Sequence, residues 1–396
     1  MRLIPSAPCR CGSCPGTASM PGRAGQGARH MWLRVGDVVR WRIVLIGLIV
    51  ALVVLVIPGR HLAPAVLYAE DRAAAPRDPT PFYVPSTIST EWQESLKTWT
   101  GPTDETFPGP DDFDAWRALQ RQGERFIGRM TEPLMTRYQP LIEERELGGV
   151  QTLDIRPNGW QDNSRVLVYT HGGAYTFNSA RSTLSSSVPV AAATGLRVIS
   201  VNYTLAPHAR WDQVTDEVVS VVQALHAEGY EWTNIAMYGD SAGGGLAAGS
   251  VLKMRDRGIG TPAALFLWSP WADITETGDT YRTLADADPL LVYPRQLERS
   301  AAAYARPADQ KHPYVSPIYG DFTKGFPPTL IQVGSKEIFL SNSVRLYRAL
   351  DLAGVPVVLD VYEGMPHVFQ GIIPDSPESQ TAFARSKRHL DQYLGQ

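Results

Sequence analysis

The stretch Ile235-Ala236-Met237-Tyr238-Gly239-Asp240-Ser241-Ala242-Gly243-Gly244-Gly245-Leu246 decides the fold. Ile235 to Tyr238 is a short apolar run that reads as a buried strand, and Gly244 to Arg257 reads as a helix. Between them lies G-x-S-x-G, so Ser241 falls on the strand-to-helix turn that a nucleophile elbow requires. Glycines there let chain segments approach closely around a strained turn. The helix N-terminus behind Ser241 favours developing negative charge. Gly243-x-Gly245-x-x-x-Gly249 also follows a strand, loosely like a dinucleotide loop. It does not follow the first strand, however, and the chain has no Tyr-x-x-x-Lys pair that a short-chain dehydrogenase needs.

Outward from the elbow, similar apolar runs recur at Val166–Thr170, Val198–Tyr203, Ala264–Trp268, Thr329–Val333 and Val357–Tyr362. They are nearly continuous rather than alternating, the pattern of strands buried on both faces. Gln213–Glu228, Gly244–Arg257 and Ser341–Ala353 read as intervening helices. The expected fold class is α/β, with a mostly parallel sheet wrapped by helices and a site at the carboxyl ends of the strands.

Two other strand ends carry chemistry. After Val166–Thr170 comes His171-Gly172-Gly173-Ala174, whose backbone N–H groups would join that of Ala242 in an oxyanion hole. His171 itself reads as a structural residue that positions this loop. A serine nucleophile needs a base, and the base an orienting acid. Of the eight histidines only His367 follows the last strand, while His389 lies in a terminal helix and reads as a surface residue. The loop after Thr329–Val333 holds one acid, Glu337. Asp288 precedes that strand and is assigned to a separate insertion. Asp360 and Glu363 lie too close to His367 in the chain to be its partner.

Composition bounds the rest. The 396 residues are 44% hydrophobic and 19% charged, with net charge −3. This excludes wholesale disorder and gives no basic face for nucleic acid. Charge is unevenly spread: residues 1–42 hold seven Arg and one acid and read as a basic, unstructured tail, while the body is acidic. Cys9, Cys11 and Cys14 are the only cysteines, so a disulfide framework for the body is excluded. C-x-C-x-x-C lacks a fourth ligand nearby, no His pair has metal spacing, and no metal or cofactor is expected. Ile43 to Ile57 are fifteen consecutive apolar residues. A helix of that length spans about 22 Å, short of the roughly 30 Å hydrocarbon core. Residues 43–59 therefore suit a signal segment or a short anchor. The basic flank keeps to the cytoplasm, which places the body outside it, membrane-anchored or, after cleavage, secreted. Residues 60–90 read as a linker. Glu91–Trp99, Asp112–Met130 and Glu132–Tyr138 read as helices, within a catalytic domain spanning 91–396.

These segments together resemble the hormone-sensitive-lipase-like (bacterial family IV) carboxylesterases of the α/β-hydrolase fold. The resemblance runs from Glu144 to the end. It includes His171-Gly172-Gly173, Asn202-Tyr203-Thr204-Leu205-Ala206-Pro207, Tyr238-Gly239-Asp240-Ser241-Ala242-Gly243, Asp288-Pro289-Leu290, Ser316-Pro317 and Val333-Gly334-Ser335-Lys336-Glu337. It implies a serine carboxylesterase with Ser241 as nucleophile, Glu337 as acid, His367 as base, and Gly172, Gly173 and Ala242 as oxyanion donors. It also implies a helical cap from about 80–140 and 274–320, with Trp92, Trp99, Trp116 and Tyr304 in its packing. Ala174 stands where the family has a third Gly, which narrows the entrance to the oxyanion hole. Thr204 stands where an Arg is frequent, which removes an ion pair. The implied substrate is a small ester or lactone of short-to-medium acyl length. A homodimer and membrane association through residues 43–57 are further expectations. An acyltransferase or amidase with the same triad, or a ligand-binding protein on the same fold, are the alternatives.

Overall fold

The structure, a computed structural model, describes residues 82–128 and 131–395. The basic tail 1–42 with its cysteines, the apolar segment 43–59 and residues 60–81 of the expected linker lie outside the described residues. Among the described residues no helix is long and apolar enough to cross a membrane.

The centre is an eight-stranded sheet of order β1-β2-β4-β3-β5-β6-β7-β8. Its strands are β1 (Leu141–Leu147), β2 (Val150–Arg156), β3 (Val166–Thr170), β4 (Arg197–Val201), β5 (Ile235–Asp240), β6 (Ala264–Trp268), β7 (Thr329–Gly334) and β8 (Val357–Tyr362). From β4 through β8 every pairing is parallel, while β1–β2 and β2–β4 are antiparallel. Every residue of β3 to β7 is buried. Side chains alternate between two covered faces. On one face Leu167, Tyr169, Tyr238 and Phe266 pack on α4 (Leu184–Thr194) and α10 (Pro377–Tyr393). On the other, Val168, Met237 and Leu267 pack on α5 (Trp211–Ala227), α6 (Ala242–Asp256) and α9 (Leu340–Leu352). The chain leaves β3 towards β4 and returns on the other side of β3 as β5. Strand order therefore reverses between β3 and β5, which opens a crevice at their carboxyl ends.

Five expected strands match to within a residue or two, and β4 begins and ends earlier than expected. The β1–β2 hairpin was not expected. Leu141–Leu147 carries Glu143, Glu144, Arg145 and Glu146, and its charges are tolerated because β1 is an outer strand. Four charged residues in a row, Glu143 to Glu146, hide the strand pattern from the sequence. Helix α4 was also missed, since its Ser triplet and internal Pro189 have poor helix propensity. Burial of Leu184, Val188 and Ala191 against the sheet overrides that propensity.

Before the sheet come α1 (Thr90–Leu96), α2 (Phe113–Gly128) and α3 (Glu132–Tyr138). Trp92 and Leu96 of α1 pack on Met365, Phe369 and Ala382, and the Trp92 indole donates to Ser376 Oγ at 3.0 Å. Trp116 and Tyr304 are fully buried too. Trp92 and Trp99 thus brace the segment after β8 rather than a separate cap core. The insertion after β6 contains α7 (Thr280–Thr283) and α8 (Glu298–Tyr304).

Candidate active site

Ser241 ends the β5 turn with φ +55° and ψ −126°, and its neighbour Ala242 opens α6. The strained turn is held on both sides: Ser241 N–H donates to the Trp268 carbonyl, and Trp271 N–H donates to the Ser241 carbonyl, both at 2.8 Å. A Cβ on Gly243 would run into the Thr170 carbonyl, which is why only glycine fits there.

His367 lies on the loop after β8, turned by Val368 at φ +52°. Its Nδ1 pairs with Glu337 Oε2 at 2.7 Å. Glu337 is fully buried on the loop after β7. Its other oxygen accepts from Gly334 N–H and from the Ser269 hydroxyl, each at 2.7 Å. Ser269 Oγ in turn accepts from Val368 N–H at 3.2 Å. One hydroxyl at the end of β6 therefore touches both the predicted acid and the residue after the predicted base. Lys336 N–H to the Met365 carbonyl (3.1 Å) and Gly364 N–H to Ser335 Oγ (2.8 Å) zip the two loops together. The Phe339 ring meets His367 edge-on at 5.1 Å.

The loop after β3 behaves differently from expectation at one residue. Gly172 N–H is taken by Asp240 Oδ1 at 3.1 Å, so it is not free to meet a substrate oxygen. The N–H groups of Gly173, Ala174 and Ala242 have no acceptor among the described residues. Gly173 (φ +118°) and Ala174 (φ +53°) turn the chain in left-handed conformations, and a Cβ on Gly173 would strike the Phe177 carbonyl. The Ala174 N–H, offered by the His171–Ala174 loop but not named among the three donors the resemblance implies, is thus a candidate in place of Gly172.

Two buried side chains hold this loop. Asp240 also accepts from the Tyr169 hydroxyl, and burial pushes its carboxyl above the usual carboxylate range. His171 is fully buried, stacks on Tyr203 at 4.1 Å, and pairs through Nδ1 with the Gly172 carbonyl at 2.8 Å. Burial pushes its pKa down to about 4, so it stays neutral and structural, as expected. His389, by contrast, is buried rather than exposed, with Nε2 3.3 Å from the Pro328 carbonyl. Thr204 donates through both N–H and Oγ1 to Glu217 at 2.7 Å, so hydrogen bonds stand where an Arg ion pair is frequent. Asp360 pairs with Arg385, and Glu363 accepts from Thr87; neither joins the site.

Ser241 and His367 share one cavity of about 580 Å³ with Gly173, Ala174 and Asp240. That volume suits a small molecule. Phe107, Leu134, Leu290, Leu291, Leu297 and Ile372 give it an apolar wall, while Ser182, Thr183, Ser185 and Ser186 line it from the start of α4. Among the described residues, no group of three or more His, Cys, Asp or Glu is placed to hold a metal ion.

A sequence profile of the alpha/beta hydrolase fold family matches residues 167–371. An acetyl-hydrolase of Streptomyces hygroscopicus is 34% identical over 228 residues, 58% of this chain and 75% of that protein. An esterase of Acinetobacter venetianus is 33% identical over 251 residues, 62% and 80% of the two chains. Among solved structures, esterase E25 superposes with a TM-score of 0.74 at 30% identity, covering 78% of this chain and 96% of its own. An esterase of the bacterial hormone-sensitive lipase family gives 0.62 at 35% identity, covering 65% and 85%. With the eight-stranded sheet, the serine elbow and the paired histidine and glutamate already in place, these likenesses leave one assignment: the chain belongs to the alpha/beta hydrolase fold family, in its hormone-sensitive-lipase-like branch of serine carboxylesterase-like hydrolases.

Proposed function

We propose that Ser241, His367 and Glu337 act as nucleophile, base and orienting acid, and that the chain hydrolyses uncharged esters or lactones of short-to-medium acyl length through an acyl-enzyme. The observation that carries this reading is the 2.7 Å Glu337–His367 pair, joined to a cavity that His367 shares with Ser241. His367 takes the Ser241 proton as Oγ attacks the ester carbonyl. Glu337 fixes the imidazole tautomer and stabilises the imidazolium that forms. The oxyanion is received by the N–H groups of Gly173, Ala174 and Ala242. His367 then protonates the leaving alcohol, and water repeats the sequence on the acyl-enzyme. Loss of one oxyanion donor costs about 10²- to 10³-fold in rate.

The wall argues for uncharged acyl groups. Its only ionisable side chains among the described residues are Asp240 and His367. Of the expected cap ranges 80–140 and 274–320, the parts around Phe107, Leu134 and Leu290–Leu297 act together as the cap that sets acyl length. Supporting this, Phe107 N–H donates to the Arg295 carbonyl at 3.0 Å and Gln296 reaches the Thr103 carbonyl at 2.6 Å. Residues 43–57 are read as the element that anchors this body to a membrane from outside the cytoplasm. Cell fractionation tests that reading, and recovery in the cytosol contradicts it.

The test of substrate class is a panel of p-nitrophenyl esters of rising acyl length, a medium-ring lactone, and an ester with a terminal carboxylate on its acyl chain. Turnover is expected for the uncharged short and medium members, with the carboxylate-bearing ester at least tenfold poorer. Activity confined to long-chain triglycerides contradicts the reading. New esters or amides formed with added alcohol or amine reassign the site to acyl transfer.

A further inference from the structure

Asp288 is fully buried in the insertion after β6, in no ion pair among the described residues, and no step of the cycle uses it. Its three contacts are all backbone N–H groups, and they belong to two different parts of the site. Oδ1 accepts from Leu290 and Leu291, both at 2.9 Å, which fixes the turn that presents these two leucines to the cavity wall. Oδ2 accepts from Ile338 at 2.8 Å, the residue directly after Glu337. The same segment grips residue 338 a second time, since Thr280 Oγ1 donates to the Ile338 carbonyl at 2.6 Å. The residue following the acid is therefore clamped at both its N–H and its C=O by the insertion that carries the pocket wall.

We propose that Asp288 is a positioning residue for the reaction, one carboxylate that locks the substrate wall at Leu290–Leu291 to the backbone holding Glu337 against His367. This rests on Glu337 being the acid. Its purpose follows from how steeply rate depends on geometry: a displacement of about 1 Å costs roughly 10²-fold. Glu337 has its Oε1 fixed by Ser269 and Gly334, but Ile338 is where its backbone would otherwise move. A buried ionised carboxylate is costly, and only its hydrogen bonds offset that cost. Burial raises the Asp288 pKa to about 6, opposed by its three N–H donors and by the charge of His367. Glu337 lies one residue from the clamp, and Asp240 on β5 also feels His367. Protonation of Asp288 weakens its hold on Ile338, so acid loosens the clamp.

The test uses the full chain, with Asp288→Asn, Asp288→Ser and Glu337→Gln measured beside wild type on p-nitrophenyl acetate and hexanoate at pH 8. Thermal unfolding is followed in parallel. In Asp288→Asn either orientation of the amide sets an NH₂ group against a backbone N–H, so one of the two grips is lost. In Asp288→Ser the hydroxyl can still hold the nearby turn but cannot reach Ile338. The expected result is that kcat falls by about one to two orders of magnitude on both esters, with KM within threefold and Glu337→Gln impaired at least as much. A kcat within twofold of wild type, whatever the melting temperature, overturns the proposal. A Glu337→Gln enzyme of full activity instead removes the assignment of the acid on which it rests. Wild type carries a second arm needing no substitution. The Ile338 amide should be protected from hydrogen–deuterium exchange at least about 10²-fold over its intrinsic rate at pH 8 and lose at least about tenfold of that protection at pH 5, and unchanged protection overturns the proposal even if neither Asp288 variant folds.

Discussion

At the scale of single residues, the site is a set of buried polar side chains bound to one another and to the backbone of the strand-end loops. Ser269 is the clearest example, since its hydroxyl touches both Glu337 and the amide after His367. A hydrogen bond to a charged group contributes about 1.5–3 kcal/mol. Ser269→Ala is therefore expected to lower kcat by about tenfold or more with KM little changed, as steady-state kinetics will read; an unchanged kcat contradicts the bridging role. His171 makes a prediction about pH. Its folded pKa of about 4 lies below the ordinary histidine value of 6.5. A group depressed in this way contributes stability that is fully present above pH 6.5 and is lost as pH falls towards 4, about 3 kcal/mol in all. The difference in unfolding free energy between wild type and His171→Gln should therefore narrow on acidification over that window, in urea melts at several pH values. A difference that stays constant from pH 7 to 4.5 contradicts it. The positions of Ser241, Glu337 and His367 were legible because chain order and strand ends constrain them. The roles of Ser269 and Asp288, and the capture of the Gly172 N–H by Asp240, were not. They depend on left-handed turns and on contacts between segments far apart in sequence.

At the scale of elements, the buried strands announced themselves by continuous apolar runs, and the exceptions are equally physical. The β1–β2 hairpin is an edge device with charged residues that one covered face tolerates. It is joined to β4 by Asp154, which is fully buried and accepts from Arg197 Nε at 2.9 Å and from its NH2 at 2.8 Å. Arg156 also reaches Asp154 at 2.7 Å. Arg197 is on β4 and Asp154 on β2, so the pair fixes how the antiparallel hairpin meets the parallel sheet. Removing one partner of a buried pair costs about 3–5 kcal/mol, and the two remaining arginines, Arg156 and Arg145, temper that. Arg197→Met should lower unfolding free energy by about 2–3 kcal/mol in denaturant titration while leaving kcat/KM of the folded enzyme unchanged. A loss under about 0.5 kcal/mol contradicts the role assigned to the pair. Helix α4 illustrates the opposite case, where tertiary burial prevails over a proline and three serines that argue locally against a helix.

At the scale of the whole molecule, the described residues belong to one compact unit that contains the sheet, the cavity and every residue assigned to chemistry. A chain beginning at residue 76 is accordingly expected to fold and to retain kcat/KM within about twofold on a soluble ester. Loss of cooperative unfolding in that shortened chain contradicts this. Within the unit, α1 packs beneath the His367 loop, the insertion after β6 clamps the Glu337 loop, and the β3 loop is tied to β5 through Asp240. Each of the three site-bearing loops is thus held by a different part of the fold. The central claim is that Ser241, activated by His367 and Glu337, carries the ester hydrolysis. Its most direct measurement is kcat/KM for p-nitrophenyl butyrate in wild type and Ser241→Ala, matched for folding by circular dichroism. The account predicts ready turnover by wild type and a loss of at least about 10⁴-fold in the variant. Comparable turnover by the two proteins would contradict it.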